Sequence, residues 1–83
     1  MYITYFKDTG EITSPIISCD RAIAMEEVYG EEKAKIYSKI YDYINIKDNN
    51  DIICNPKKYC IDIETKKLKI CQVKENDIPV EYL

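Results

Sequence analysis

Four cysteines, at positions 19, 54, 60 and 71, are the residues in this chain best suited to chemistry, and there is no histidine to work with them. Without an imidazole there is no Ser–His or Cys–His nucleophile, and the commonest metal ligand is missing. No two cysteines have the C-x-x-C spacing of a zinc knuckle or a redox motif. Two readings of the thiols stand side by side. Cys19, Cys54, Cys60 and Cys71 either serve metal binding, as zinc ligands together, or redox chemistry, or are incidental thiols packed beneath other elements. The acidic pairs Glu26/Glu27 and Glu31/Glu32 are neighbours in sequence, so the members of each pair do not share a helix face; they read as solvated helix charges. Gly10 and Gly30 are the only glycines, too few for a phosphate-cradling loop. The acidic run Asp48-Asn49-Asn50-Asp51 lacks the glycine and the distal glutamate of a calcium loop and reads as a turn. An active site is not expected, and no cofactor is implied.

Tyrosine is the other conspicuous residue, with 8 among 83 residues. Tyr29, Tyr37 and Tyr41 can lie along one helix flank, and the tail supplies Val80, Tyr82 and Leu83. Tyrosine buries area at low entropic cost and keeps a polar tip, so these six residues are the candidate protein interface. The alternative is that the rings rim the core and the tail packs on the sheet. In the docking alternative, the tail reaches a partner by strand addition.

These residues must be positioned by one small domain, since 83 residues suffice for one core and not two. Tyr2 to Phe6 and Ile12 to Ile17 are rich in β-formers, with Asp8 and Gly10 as turn residues between them, which predicts an N-terminal hairpin. Pro15 makes the second strand an edge or ends it early. Asp20 is a candidate helix N-cap. Apolar residues at Ile36, Tyr37, Ile40, Tyr41 and Ile44 follow helical spacing, and Gly30 splits the helical region into two short helices or one bent one. Tyr43 to Ile46 alternates like a strand. Asp51 to Cys54 fits one helical turn, ended by Asn55-Pro56.

A C-terminal hairpin pairs Ile61 with Ile70 and Ile63 with Leu68, which makes one face apolar and places Asp62 and Glu64 against Lys69 and Lys67. That register sets Cys60 directly opposite Cys71, with the turn at Thr65-Lys66 or in a four-residue loop. The fold class is α+β: a small antiparallel sheet, from an N-terminal hairpin and a C-terminal strand plus hairpin, packed on one or two central helices. The expected core is Ile3, Ile12, Ile36, Ile40, Ile44, Ile46, Ile61, Ile63, Leu68 and Ile70. Residues 74–83 form an extended tail around Pro79.

Charge narrows the partners. The net charge is −3 and lysines are interleaved with acids, so no basic stripe for nucleic acid exists. No apolar run reaches membrane-spanning length, and the N-terminus has no signal-peptide pattern, so the expectation is a cytosolic protein. The chain is rich in Ile, Lys, Tyr and Asn and has one Arg, a usage that matches AT-rich codons and a low-GC genome.

Two stretches carry a resemblance. One is YINIKDNNDIICNPKKYCIDIETKKLKI, residues 43–70; the other is the opening MYITYFKDTGEI. Together they resemble small proteins encoded in the tail and baseplate modules of phages and prophages of low-GC Gram-positive bacteria. The resemblance covers about two-thirds of the chain and includes no catalytic residue. It implies a non-enzymatic accessory or structural component, made in the bacterial cytoplasm, carried in the virion, and acting through contacts with particle proteins or with copies of itself. Two other functions fit the composition. One is a small phage-encoded inhibitor of a host or defence protein. The other is a metal-binding protein built on the cysteines.

Overall fold

The computed structural model describes residues 1–71 and 80–83. Two antiparallel sheets and three short helices make a mixed α+β domain. In chain order the elements are β1 (Tyr2–Phe6), β2 (Ile12–Ile17), α1 (Met25–Tyr29), α2 (Glu31–Tyr37), β3 (Tyr41–Asn45), α3 (Asn50–Cys54), β4 (Tyr59–Asp62) and β5 (Lys67–Ile70). A 3-10 turn at Pro56–Lys58 joins α3 to β4. The first sheet has the order β2-β1-β3; the second is the β4–β5 hairpin.

The N-terminal hairpin forms as its turn residues dictate. Gly10 adopts φ +77, and its amide donates to the Phe6 carbonyl at 2.8 Å. Pro15 lies in β2, which is the sheet edge, where a missing amide costs no ladder bond. The register slips between Ile3 and Thr4, and the Thr4 hydroxyl meets the displaced Pro15 carbonyl at 2.9 Å.

Gly10 also joins the two sheets. Its carbonyl accepts from the Ile61 amide at 2.7 Å, and a Cβ on Gly10 would lie 1.8 Å from the Ile61 carbonyl oxygen. Only a residue without a side chain allows that approach.

Opposed residues in a ladder point the same way, so β1 has two distinct faces. Met1, Ile3 and Tyr5 face a core made with Ile44, Ile46, Ile52, Tyr59, Ile61 and Leu68. Tyr2, Thr4 and Phe6 face the other way, toward Tyr41 and Tyr43 of β3 and the layer of α1 and α2. The first sheet is therefore a middle layer, with helices on one side and the second hairpin and α3 on the other.

The helical region is split at Gly30, which has φ +87, into two separate helices, one of the two arrangements expected. Other sequence expectations are corrected. Asp20 caps neither helix. The first starts at Met25 with no side-chain cap, because the Asn45 amide group holds Ile23 extended through bonds of 2.9 and 3.0 Å. The second helix stops at Tyr37, and Ile36 and Ile40 are 60% and 53% exposed rather than core. The residues from Tyr41 onward belong to β3, paired along its length with β1. The C-terminal hairpin pairs Ile61 with Leu68 and Tyr59 with Ile70, two residues away from the expected register. The faces are preserved, but Ile63 moves into the four-residue loop and is 48% exposed. Asp62 causes this: its Oδ1 accepts from the Glu64 and Thr65 amides, which turns the chain before Ile63 can pair. Cys60 consequently opposes Lys69, and Cys71 lies diagonally from it.

The single turn at Asp51–Cys54 forms, capped by Asn49, whose side chain accepts from the Asp51 and Ile52 amides. The end of the chain adds to β3. Tyr82 bridges Ile46, Lys47 donates to the Glu81 carbonyl, and Leu83 donates to the Asn45 carbonyl. The expected extension around Pro79 lies outside the described residues.

Candidate functional site

The tyrosines predicted as an interface do come together. Tyr29 of α1 and Tyr37 of α2 meet edge to face with centroids 4.7 Å apart, and Tyr37 lies 6.2 Å from Tyr41 at the start of β3. Phe6 continues the row at 5.2 Å from Tyr41. Each of the four rings is half-buried, so each keeps surface for a partner. Beneath the row Tyr2 stacks on Tyr43 at 5.0 Å. The Tyr2 hydroxyl is fully buried without a hydrogen-bond partner among the described residues, and burial pushes its pKa up to about 12.

Ile36 and Ile40 are the residues that sequence reasoning missed at this surface. They are four apart, each precedes a tyrosine of the row, and each is more than half exposed. Their spacing fits one helix face, but α2 ends at Tyr37, so Ile40 lies in the turn before β3.

The tail residues sit elsewhere. Val80 packs on the aliphatic core, the Tyr82 hydroxyl accepts from the Leu68 amide at 2.9 Å, and Leu83 is 44% exposed. The structure thus uses 80–83 to cover part of the β3 edge, which is the packing alternative.

A cleft of about 200 Å³ opens between the two sheets, lined by Tyr5, Lys7, Asp42, Ile63 and Lys66. The Tyr5 hydroxyl donates to Asp42 Oδ2 at 3.3 Å, and Lys66 Nζ lies 3.8 Å from the same oxygen. Burial, with Asp42 second, raises Tyr5 to about 12, so the phenol stays a donor rather than becoming a base. Two other carboxylates are held below the usual range. Asp48 accepts from the Ser18 hydroxyl at 2.6 Å, and also lies 3.4 Å from the buried amino group of Met1. Asp51 accepts from the Tyr59 hydroxyl, with Lys58 Nζ at 3.5 Å. These groups tie elements together: Asp48 links the loop after β3 to the end of β2, and Asp51 links α3 to β4. The chemistry such ionised acceptors offer is hydrogen bonding.

The cysteines divide. Cys54 is exposed at the end of α3, Cys19 lies past β2, and Cys60 and Cys71 share one face of the second hairpin. Among the described residues no three His, Cys, Asp or Glu side chains gather into a metal-holding group, so the four-cysteine zinc site does not assemble there. Among the same residues no helix is long and apolar enough to cross a membrane. Comparison with known proteins adds no relative: no family model matches the chain, and no curated protein and no solved structure matches it.

Proposed function

We propose that this chain is a non-enzymatic protein-binding module, and that it serves as an accessory component of a phage or prophage tail or baseplate. The observation that supports the binding reading is the exposure of Ile36 and Ile40, each next in sequence to a half-buried ring of the row Tyr29–Tyr37–Tyr41. Isolated exposed isoleucines are ordinary on protein surfaces. Two of them, each adjoining in sequence a half-buried tyrosine of one row, supply apolar and aromatic area of the kind that interfaces use. Covering the exposed parts of both isoleucines would contribute about 2–4 kcal/mol, enough to anchor a contact. The placement in a particle rests on the resemblance of residues 43–70 and of the opening strand and turn.

The test is mass spectrometry of purified particles from the organism that encodes the chain. The module is expected among the particle proteins at a fixed copy ratio. Its absence from particles, with recovery instead in a stable complex with one host protein, would replace this role with that of an inhibitor.

A further inference from the structure

The second hairpin brings two cysteines to one face. Cys60 opposes Lys69 in the β4–β5 ladder, and the Cys71 amide donates to the Lys58 carbonyl at 2.9 Å, which continues the ladder one step past β5. Cys60, Lys69 and Cys71 therefore point the same way, with Cys71 on the diagonal from Cys60. The Cys71 thiol is close enough to Cys60 to act on its ionisation, and each residue is half-buried. The charged neighbours of Cys60 are Lys69 and Asp62 on the hairpin itself, and Glu11 from the first hairpin, whose backbone bridges Cys60. Cys54 and Cys19 belong to other elements.

We propose that Cys60 and Cys71 are a dithiol modification site, which a low-molecular-weight disulfide oxidises to an intramolecular disulfide across the open end of the second hairpin. Cys71 is the attacking thiol. Its thiolate attacks one sulfur of the oxidant, forms a mixed disulfide and releases one thiolate. Cys60 then loses its proton to solvent, and its sulfur attacks Cys71 Sγ and expels the second thiolate. Overall the two protein thiols give up two electrons and two protons, and the oxidant is reduced to two thiols. Burial and the neighbouring Cys71 hold the Cys60 thiol up at about 11, which makes Cys60 the resolving partner and the second step the slow one near neutrality.

Diagonal residues in a ladder have Cα atoms about 7–8 Å apart. A disulfide needs about 4.4–6.8 Å. Closure draws Cys71 inward by roughly an ångström, which is feasible because Cys71 lies beyond the last residue of β5. A bond closed with that strain is readily reduced, so the modification is reversible.

The experiment incubates the full chain with glutathione disulfide at neutral and at alkaline pH, followed by acid quench, alkylation and mass spectrometry. The expected product is two hydrogens lighter, with Cys60 linked to Cys71 and with Cys19 and Cys54 outside the link. Closure should speed up about tenfold per pH unit below the Cys60 pKa, and dithiothreitol should restore the dithiol. A Cys60→Ser variant should stop at a stable glutathione adduct on Cys71. Stable glutathione adducts on both Cys60 and Cys71 of the native chain without a link, or a link that includes Cys54 or Cys19, would overturn the proposal.

Discussion

The two faces of β1 are built from alternate residues of one strand, yet they end in different kinds of surface. On one face Met1, Ile3 and Tyr5 are sealed by the second hairpin and α3, and every member of that core is nearly water-free. On the other face Tyr2 and Thr4 are equally buried, but the covering layer is two helices of five and seven residues. Such short helices cover little, so Ile36 of α2 and Ile40 of the turn after it are exposed and the tyrosine row is only half-buried. The contrast separates two jobs. The hairpin side holds the fold together, and the helix side carries the surplus apolar area on which the proposed binding role rests.

Substitutions can break that contrast in order of effect. Gly10→Ala should be the most damaging change, because its Cβ would collide with the Ile61 carbonyl and its φ is left-handed. A loss of about 3 kcal/mol or more is expected from the strained backbone and the displaced inter-sheet bond, read as the urea midpoint. Leu68→Ala on the sealed face should cost about 2–5 kcal/mol in the same assay. Ile63→Ala should stay within about 0.5 kcal/mol; if the two isoleucine-facing registers were exchanged, Ile63 would be the costly position.

Alkaline titration distinguishes the faces in another way. Tyr2 and Tyr5 are both raised to about 12 by burial. Below pH 10 both are neutral whether folded or unfolded, and their contribution is fully present. Between pH 10 and 12 the unfolded chain releases these protons while the folded chain retains them, so stability must fall as pH rises. Circular dichroism against pH should show unfolding in that window. Tyr2→Phe should weaken the pH dependence and, since the Tyr2 hydroxyl has no partner among the described residues, raise stability at neutral pH by about 1 kcal/mol. The equivalent Tyr5→Phe change removes the bond to Asp42 and should not stabilise.

The sequence made one hairpin readable and the other only partly so. In the first, Gly10 takes the turn as expected, and Pro15 lies on the edge strand, one of its two expected places, rather than ending it. In the second, the alternation correctly assigned the faces, but a shift of two residues preserves alternation. The Asp62 side chain decides between those registers, a local bond that hydrophobic pattern does not report. The run from Ile36 to Ile44 fits helical spacing, but pairing with β1 makes a strand from Tyr41. The candidate site was half visible: the tyrosines were named from their chemistry, whereas Ile36 and Ile40 were assigned to the core because their spacing gave no sign of how little a seven-residue helix would cover.

The most direct test of the account replaces Ile36 and Ile40 together with lysine and compares affinity capture by the native and variant chains from the lysate of the encoding host. Stability should change by no more than about 0.5 kcal/mol, since both positions are exposed. Recovery of the partner should fall about tenfold or more, as expected for losing roughly 2–4 kcal/mol of buried apolar contact. Equal recovery by the two folded chains would contradict the claim that the helix side is the binding surface.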